Sequence, residues 1–165
     1  MAALPAGTKA PDISLAAIDG TTFSLQDALK KGPVVAAFFK VSCPVCQYAF
    51  PYFERVFQAH AGKNITFVAI SQDDQRNTAA FLKQFGVTFT TLLDDPNGYV
   101  VSNAYGLTNV PTWFLIGQDG EIEISSIGWV KRDVEDLNRK LADLDKAPPP
   151  QLFKPGEEVR DFRAG

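Results

Sequence analysis

The alternation of apolar and polar positions divides the chain into short strands and helices. Residues 34–39, 64–71 and 89–93 are apolar runs of strand length, and the first, VVAAFF, contains no polar residue. A strand without polar positions is typical of a sheet that is buried on both faces. The segments PTWFLIG and EIEISSIG (111–117 and 121–128) predict two further strands, joined by an Asp-Gly turn.

Helical periodicity fills the segments between these strands. Apolar positions recur at steps of three and four over residues 46–60, where Pro51 interrupts the pattern and is expected to kink the helix. A second helix is predicted over 73–86, with acids at its start and glycine at its end. A short helix with Pro96 in its first turn follows, and 131–146 forms the last helix.

The predicted order is therefore βαβαβαββα, preceded by an N-terminal hairpin that turns at Asp19–Gly20. Alternating strands and helices predict an α/β fold with a central sheet flanked by helices, and its last two strands form an antiparallel hairpin. We expect one domain over 1–146, followed by a proline-rich tail over 147–165. Two alternatives stay open for the tail: it wraps the domain through residues such as Phe153 and Phe162, or it is partly disordered.

Composition, charge and hydropathy argue against several classes of function. The chain has 165 residues, 45% hydrophobic and 21% charged, with a formal net charge of −3. No basic stripe is present, which argues against nucleic-acid binding, and no apolar run reaches the ~18 residues of a membrane span. The start, MAALPAGTKAPDISL, lacks the pattern of a secretory signal. We expect a monomer that is cytoplasmic as given, or extracytoplasmic if a leader has been removed.

The two cysteines of the chain, Cys43 and Cys46, lie where the first buried strand ends and a helix begins. N–H groups at a helix N-terminus favour a thiolate and can lower a cysteine pKa to about 3.5–7.5. We predict that Cys43 is the exposed nucleophile and that Cys46, one turn later, resolves the mixed disulfide. Pro44 occupies a first-turn position, where its missing N–H costs nothing.

Inert buried thiols and a metal site are the alternatives for this pair. A zinc site normally needs four ligands, and the sequence offers no second cysteine pair. Gln47 follows the second cysteine, so the c-type haem pattern is absent. We therefore predict a redox-active dithiol that uses neither a metal nor a cofactor.

Four features of the chain occur in a recognisable order: VVAAFFKVSCPVC (34–46), Pro51, NVPTWFLIG (109–117) and Gly128. Together they resemble the thioredoxin-like superfamily, and more narrowly the TlpA/ResA-like thiol-disulfide oxidoreductases that are grouped with redoxin or AhpC/TSA proteins. The resemblance covers about residues 5–145. It implies a thioredoxin-like fold with a mixed sheet and a βα insertion before a cis-proline.

The resemblance also implies roles for individual residues. The bond between Val110 and Pro111 would be cis, and the Val110 backbone would pair with a bound substrate like an added strand. Pro44 and Ser42 would contact the substrate, although the family usually has tryptophan where Ser42 stands. The partners implied are protein disulfides or dithiols and an upstream electron donor. The sequence does not fix whether the pair reduces, oxidises or isomerises disulfides, because the reduction potential depends on local groups; we expect a reductant.

Departures from the family pattern concern the surroundings of the thiols. Thioredoxins often carry a buried acid where this chain has Ala37, and ResA-like proteins a glutamate where it has Ala49, so no matching carboxylate is placed to relay protons to Cys46. Lys40 either favours the nucleophilic thiolate or is a solvated lysine. Tyr48 either lines the site or lies on the helix surface.

Other polar residues are expected to be structural. His60, the single histidine, lies more than about 20 Å along the helix from the first cysteine at 1.5 Å per residue. Trp113 and Trp129 are expected in the core. Acidic pairs such as Asp73–Asp74 are expected at helix N-termini.

Two other functions compete with disulfide exchange. A thiol peroxidase of the peroxiredoxin type would need a Pro-x-x-x-Thr/Ser-x-x-Cys loop, and FFKVSC lacks its proline and threonine. A non-catalytic interaction domain would not require the intact cysteine pair and Pro111.

Overall fold

The computed structural model describes residues 2–94 and 98–165. The strands are β1 (Ser14–Ala16), β2 (Thr22–Ser24), β3 (Val34–Phe39), β4 (Thr66–Ser71), β5 (Thr90–Leu93), β6 (Thr112–Ile116), β7 (Ile122–Ile127), β8 (Trp129–Val130) and β9 (Phe162–Arg163). The helices are α1 (Leu25–Leu29), α2 (Pro44–Ala59), α3 (Gln75–Phe85), α4 (Val100–Ala104) and α5 (Lys131–Asp143). The predicted position of Pro96 in a helix lies outside the described residues.

Five strands form the central sheet, in the order β5-β4-β3-β6-β7. Strands β3, β4 and β5 run parallel, whereas β6 is antiparallel to β3 and β7 is antiparallel to β6. The α/β fold with a mixed sheet and an N-terminal hairpin, β1–β2, is thus confirmed. Because β3 is the middle strand, the segment that follows its C-terminal end lies at the centre of that end of the sheet.

Both faces of the sheet are covered by apolar side chains. Every residue of β3 is buried, and successive side chains along a strand point to opposite faces. Phe39 therefore packs with Phe50 of α2 in one core layer, with ring centroids 4.6 Å apart. Phe38 packs in the other layer against Tyr105, at 5.4 Å. Each fully buried aromatic of this kind stabilises the fold by about 1.5–3 kcal/mol.

Helix α2 is continuous over its 16 residues and includes Pro51. Its buried residues repeat at helical spacing, as the sequence pattern predicts. In the part of the chain that the structure describes, no helix has both the length and the apolar character needed to cross a membrane.

The tail after α5 follows the surface of the domain, the first of the two alternatives left open by the sequence. Arg55 of α2 forms two hydrogen bonds with the Glu157 carboxylate, at 2.8 and 2.7 Å. The Asn138 amide of α5 donates to the Pro150 carbonyl at 2.8 Å. At its end, β9 pairs antiparallel with β8, which directly precedes α5. Phe162 is not an anchor, because it is 61% exposed.

Candidate active site

The cysteine pair lies at the N-terminus of α2, directly beyond the end of the central strand β3. Cys43 is the N-cap residue with extended backbone (φ −82°, ψ 114°), and its Sγ accepts a hydrogen bond from the Cys46 N–H at 3.1 Å. A sulfur thus takes the capping role that oxygen side chains usually fill. Pro44 begins the helix, where proline is tolerated because the first N–H groups have no intrahelical partner. Strand, turn and cap together hold the thiols in place.

The two sulfurs occupy different environments although three residues separate them. Cys43 is partly exposed, whereas Cys46 is fully buried. A hydrogen bond from the Cys46 side chain, aided by the N–H groups of Cys46 and Val45 and by the Arg163 charge, lowers the pKa of Cys43 to about 6. Burial raises the pKa of Cys46, and the neighbouring Cys43 and Asp73 add to this effect. The first thiol is thus ionised more readily than an ordinary cysteine, while the second is held protonated.

The loop before β6 faces the exposed sulfur. The Val110–Pro111 peptide bond is cis, and the Cys43 thiol donates to the Val110 carbonyl at 3.4 Å. Thr112 Oγ donates to the Asn109 carbonyl at 2.8 Å, which ties the loop to the start of β6. A substrate that approaches the Cys43 sulfur therefore also approaches the Val110 backbone.

The remaining residues singled out in the sequence lie around this point. Ser42 and Pro44 are both exposed beside Cys43. Lys40 is exposed at the end of β3, and its carbonyl accepts from the Cys43 N–H at 3.2 Å. Tyr48 is half-buried one turn further along α2 and packs edge-on against a core tryptophan.

Sequence reasoning missed the role of Asp73. Its Oδ2 accepts from the Val41 N–H at 2.8 Å, while Gln47 Nε2 donates to the Val41 carbonyl at 2.9 Å. These two contacts fix the turn between β3 and the cysteines from both sides. Its neighbour Asp74 does cap α3, as predicted for these acids, by accepting from the Asn77 N–H at 2.8 Å. Because β3 and β4 are parallel neighbours, the residues that follow their C-terminal ends lie close together. The position of Asp73 just after β4 is therefore the one sequence feature that could have predicted its contact with this turn.

Arg163 is the second residue that sequence reasoning missed. It belongs to the tail, about 120 positions from the cysteines, and only the β8–β9 pairing brings it to the site. Its guanidinium lies over the Tyr48 ring, 5.2 Å from the centroid. The Lys40 side chain was the cation considered from the sequence, but the basic group that lowers the pKa of Cys43 is Arg163.

The other candidates are structural. His60 is buried at the end of α2 with its Nε2 2.7 Å from Asn138 Oδ1. Trp113 and Trp129 are buried in the core layer beneath α2. Among residues 2–94 and 98–165, no group of three or more His, Cys, Asp or Glu side chains has the arrangement of a metal site.

A mixed sheet with a cysteine pair at the N-terminus of the helix after its central strand defines a thioredoxin-like thiol-disulfide oxidoreductase. The exposed cysteine has a lowered pKa, the buried one lies within hydrogen-bonding contact, and a cis-proline loop faces them. The chain belongs to the AhpC/TSA family, whose pattern it matches over residues 6–125.

Sequence relatives agree with this class. The chain is 28% identical over 143 residues to the thiol-disulfide oxidoreductase ResA of Geobacillus thermodenitrificans, covering 86% of this chain and 79% of the relative. It is also 28% identical over 143 residues to the thioredoxin-like protein YneN of Bacillus subtilis, covering 84% and 79%. The resemblance to ResA-like oxidoreductases seen in the sequence is thereby confirmed.

Solved structures share the fold. The thioredoxin domain of the thiol-disulfide oxidoreductase BVU-2223 from Bacteroides vulgatus superposes with a TM-score of 0.73 at 22% identity, covering 83% of this chain and 97% of that one. A thioredoxin-family thiol:disulfide interchange protein from Chlorobium tepidum gives 0.68 at 24% identity, covering 87% and 98%. At these identities the likeness concerns the fold alone.

Proposed function

We propose that this chain exchanges its Cys43–Cys46 dithiol with disulfides of partner proteins and acts as a reductant. The observation that carries the proposal is the asymmetry of the pair. Cys43 is partly exposed with a pKa of about 6, and Cys46 is fully buried with a raised pKa. Such a pair supplies one thiolate for attack near neutral pH and one thiol in reserve.

The exchange takes place in two steps that balance. The Cys43 thiolate attacks one sulfur of the partner's disulfide, which forms a mixed disulfide and releases the other sulfur as a thiolate. Cys46 then loses its proton and attacks the Cys43 sulfur, which releases the second partner thiol and leaves an intramolecular disulfide. Two electrons pass to the partner, and an upstream dithiol donor must return them.

The moderate stability of the Cys43 thiolate favours reduction of partner disulfides over their formation. A strongly stabilised thiolate, with a pKa near 3.5, accompanies the oxidant DsbA, and one near 7 accompanies the reductant thioredoxin. The pKa of Cys43, about 6, lies closer to the second value. We therefore expect electrons to flow from Cys43 and Cys46 to the partner.

The cis-proline loop determines where a partner segment would bind. The Val110 carbonyl already accepts from the Cys43 thiol, so a partner segment that brings its disulfide to Cys43 runs alongside Val110 and Pro111. Pairing of that segment with the loop backbone would hold the disulfide in line without fixing its sequence. Ser42 and Pro44, both exposed, would border the other side of the segment.

The reduction potential of the pair is the direct test. The purified protein is equilibrated in glutathione or dithiothreitol buffers, and the fraction of Cys43–Cys46 disulfide is measured by alkylation and mass spectrometry. We expect a potential near that of thioredoxin, about −270 mV. A value near −120 mV would instead identify an oxidant, and failure to form an intramolecular disulfide would refute dithiol exchange altogether.

A peroxidase activity is the weaker candidate. The sequence relatives reported above are named for thiol-disulfide exchange or for thioredoxin likeness, and neither name refers to a peroxidase. Peroxide consumption measured with the same protein, with Cys43→Ser as control, would distinguish the two reactions.

A further inference from the structure

The end of the tail lies at the entrance to the cysteine pair. The Asn109 amide donates to the Gly165 carbonyl at 3.1 Å, and a Cβ placed on Gly165 would lie 2.6 Å from the Val110 carbonyl oxygen. The same oxygen accepts from the Cys43 thiol. The tail backbone therefore approaches the same carbonyl oxygen that the Cys43 sulfur contacts.

The pairing of β9 with β8 fixes this position. Gly128, just before β8, has φ 76°, and a Cβ on it would lie 2.5 Å from the Arg163 carbonyl oxygen. Only glycine tolerates both the positive φ and this close approach. The tail thus runs between Gly128 on one side and the Val110 carbonyl on the other, along the border of the site.

The contacts of the tail also orient one cation. The Tyr48 hydroxyl accepts from the Arg160 N–H at 3.0 Å, and the Trp129 indole donates to the Arg160 carbonyl. Three residues later the Arg163 guanidinium lies over the Tyr48 ring. Arg163 is half-buried over this ring, and its charge is close enough to Cys43 to lower the pKa of that thiol.

We propose that the tail segment 160–165 forms one wall of the substrate groove and that Arg163 makes the enzyme prefer disulfides with carboxylates beside them. A carboxylate next to the attacked sulfur would meet the guanidinium, whereas an ammonium group there would be repelled. Arginine suits this task because it stays charged at every relevant pH and presents several donors to a carboxylate. The inference rests on the proposed exchange at Cys43 and adds the chemistry of the preferred partner.

Small disulfides of different charge test the preference. Second-order rate constants for oxidation of the reduced protein are measured at low ionic strength with glutathione disulfide (anionic), hydroxyethyl disulfide (neutral) and cystamine (cationic). The wild type is compared with Arg163→Gln, Arg163→Lys and Arg160→Gln. Arg160 is the matched control, because it is exposed in the same segment and its replacement removes the same charge while its backbone contacts remain.

We expect the wild type to react faster with glutathione disulfide than with cystamine, and Arg163→Gln to lower this ratio about fivefold at low salt. Arg163→Lys restores most of the ratio, and Arg160→Gln leaves it near the wild-type value. A general change in thiolate reactivity would scale all three substrates equally and cancel in the ratio.

Two results would overturn the proposal: an unchanged ratio in Arg163→Gln, or an equal loss of the ratio in Arg160→Gln. The proposed exchange itself is tested separately by Cys43→Ser, which must lose reaction with all three disulfides. If Cys43→Ser still reacts, the exchange mechanism fails. If only the ratio is insensitive to Arg163, the charge preference fails and the exchange mechanism stands.

Discussion

The rim around Cys43 and the interior around Cys46 differ in almost every physical respect, although one helical turn joins them. The rim is built from backbone N–H groups, the Val110 carbonyl and the Arg163 charge, with solvent beside them. The interior around Cys46 is apolar, with fully buried neighbours such as Ala49 and Phe50. The rim therefore stabilises a thiolate and the interior opposes one.

One helix terminus thus gives two cysteines different reactivities. The N-terminal N–H groups are directed at the cap residue, so their effect is strongest on the sulfur of Cys43. One turn further in, the Cys46 sulfur lies among core side chains, where the cost of desolvating a charge dominates. The same two cysteines in reversed environments would place the nucleophile out of reach of a protein substrate.

Removal of the rim thiol should have the largest effect. We expect Cys43→Ser to lower the rate of disulfide reduction at least about a thousandfold, because a serine hydroxyl is neither ionised near neutral pH nor able to form a disulfide. The measurement is insulin or glutathione-disulfide reduction under steady-state conditions. Loss of folding is excluded by comparing the thermal melting curves. A variant with near wild-type activity would show that Cys43 is not the nucleophile.

Removal of the interior thiol should separate attack from resolution. Cys46→Ala retains the attacking sulfur, so we expect one attack per molecule, which releases one partner thiol, then accumulation of the mixed disulfide and about a hundredfold loss of steady-state rate. Incubation of the reduced variant with a disulfide-containing partner, followed by mass spectrometry, would detect the mixed disulfide on Cys43. Full turnover in this variant would mean that an external thiol resolves the intermediate.

The pH dependence of alkylation tests the low pKa of Cys43 directly. A thiol whose pKa is lowered is a thiolate above that pKa, so the iodoacetamide rate at Cys43 should reach half its plateau at about pH 6 and fall below it. In Cys46→Ala the half-point should move upward, because the hydrogen bond from the Cys46 side chain is the largest cause of the low pKa. Equal half-points in the two proteins would contradict that assignment.

Sequence patterns were sufficient for the sheet, the helices and the cysteine pair, because each is encoded locally. The uninterrupted apolar run of β3 predicts a central buried strand, and the position of Cys43 before a helix predicts its capping role. Arg163 and Asp73 were missed because tertiary pairing alone brings them to the thiols. Proline-rich composition likewise left the path of the tail open, since the Arg55–Glu157 contact that anchors it joins distant parts of the chain.

Replacement of Asp73, which lies between the rim and the interior, should have the smallest effect on the exchange reaction, but its direction is the most informative. Asp73 contacts the Val41 N–H in the turn, and its charge raises the pKa of Cys46. Asp73→Asn keeps an oxygen for Val41 but removes the charge, so we expect the mixed disulfide to resolve about two- to fivefold faster in single-turnover experiments. Asp74→Asn is the matched control, because asparagine also caps helices and the charge lost is the same.

The sign of this change distinguishes two roles for the carboxylate. If the charge acts only by opposing the Cys46 thiolate, its removal speeds resolution at every pH. If the carboxylate instead accepts the Cys46 proton, Asp73→Asn slows resolution, and the loss is greatest at low pH where solvent base is scarce. The sequence resemblance implies acids at the positions that Ala37 and Ala49 occupy, so a slower variant would identify Asp73 as the group that takes over the proton transfer.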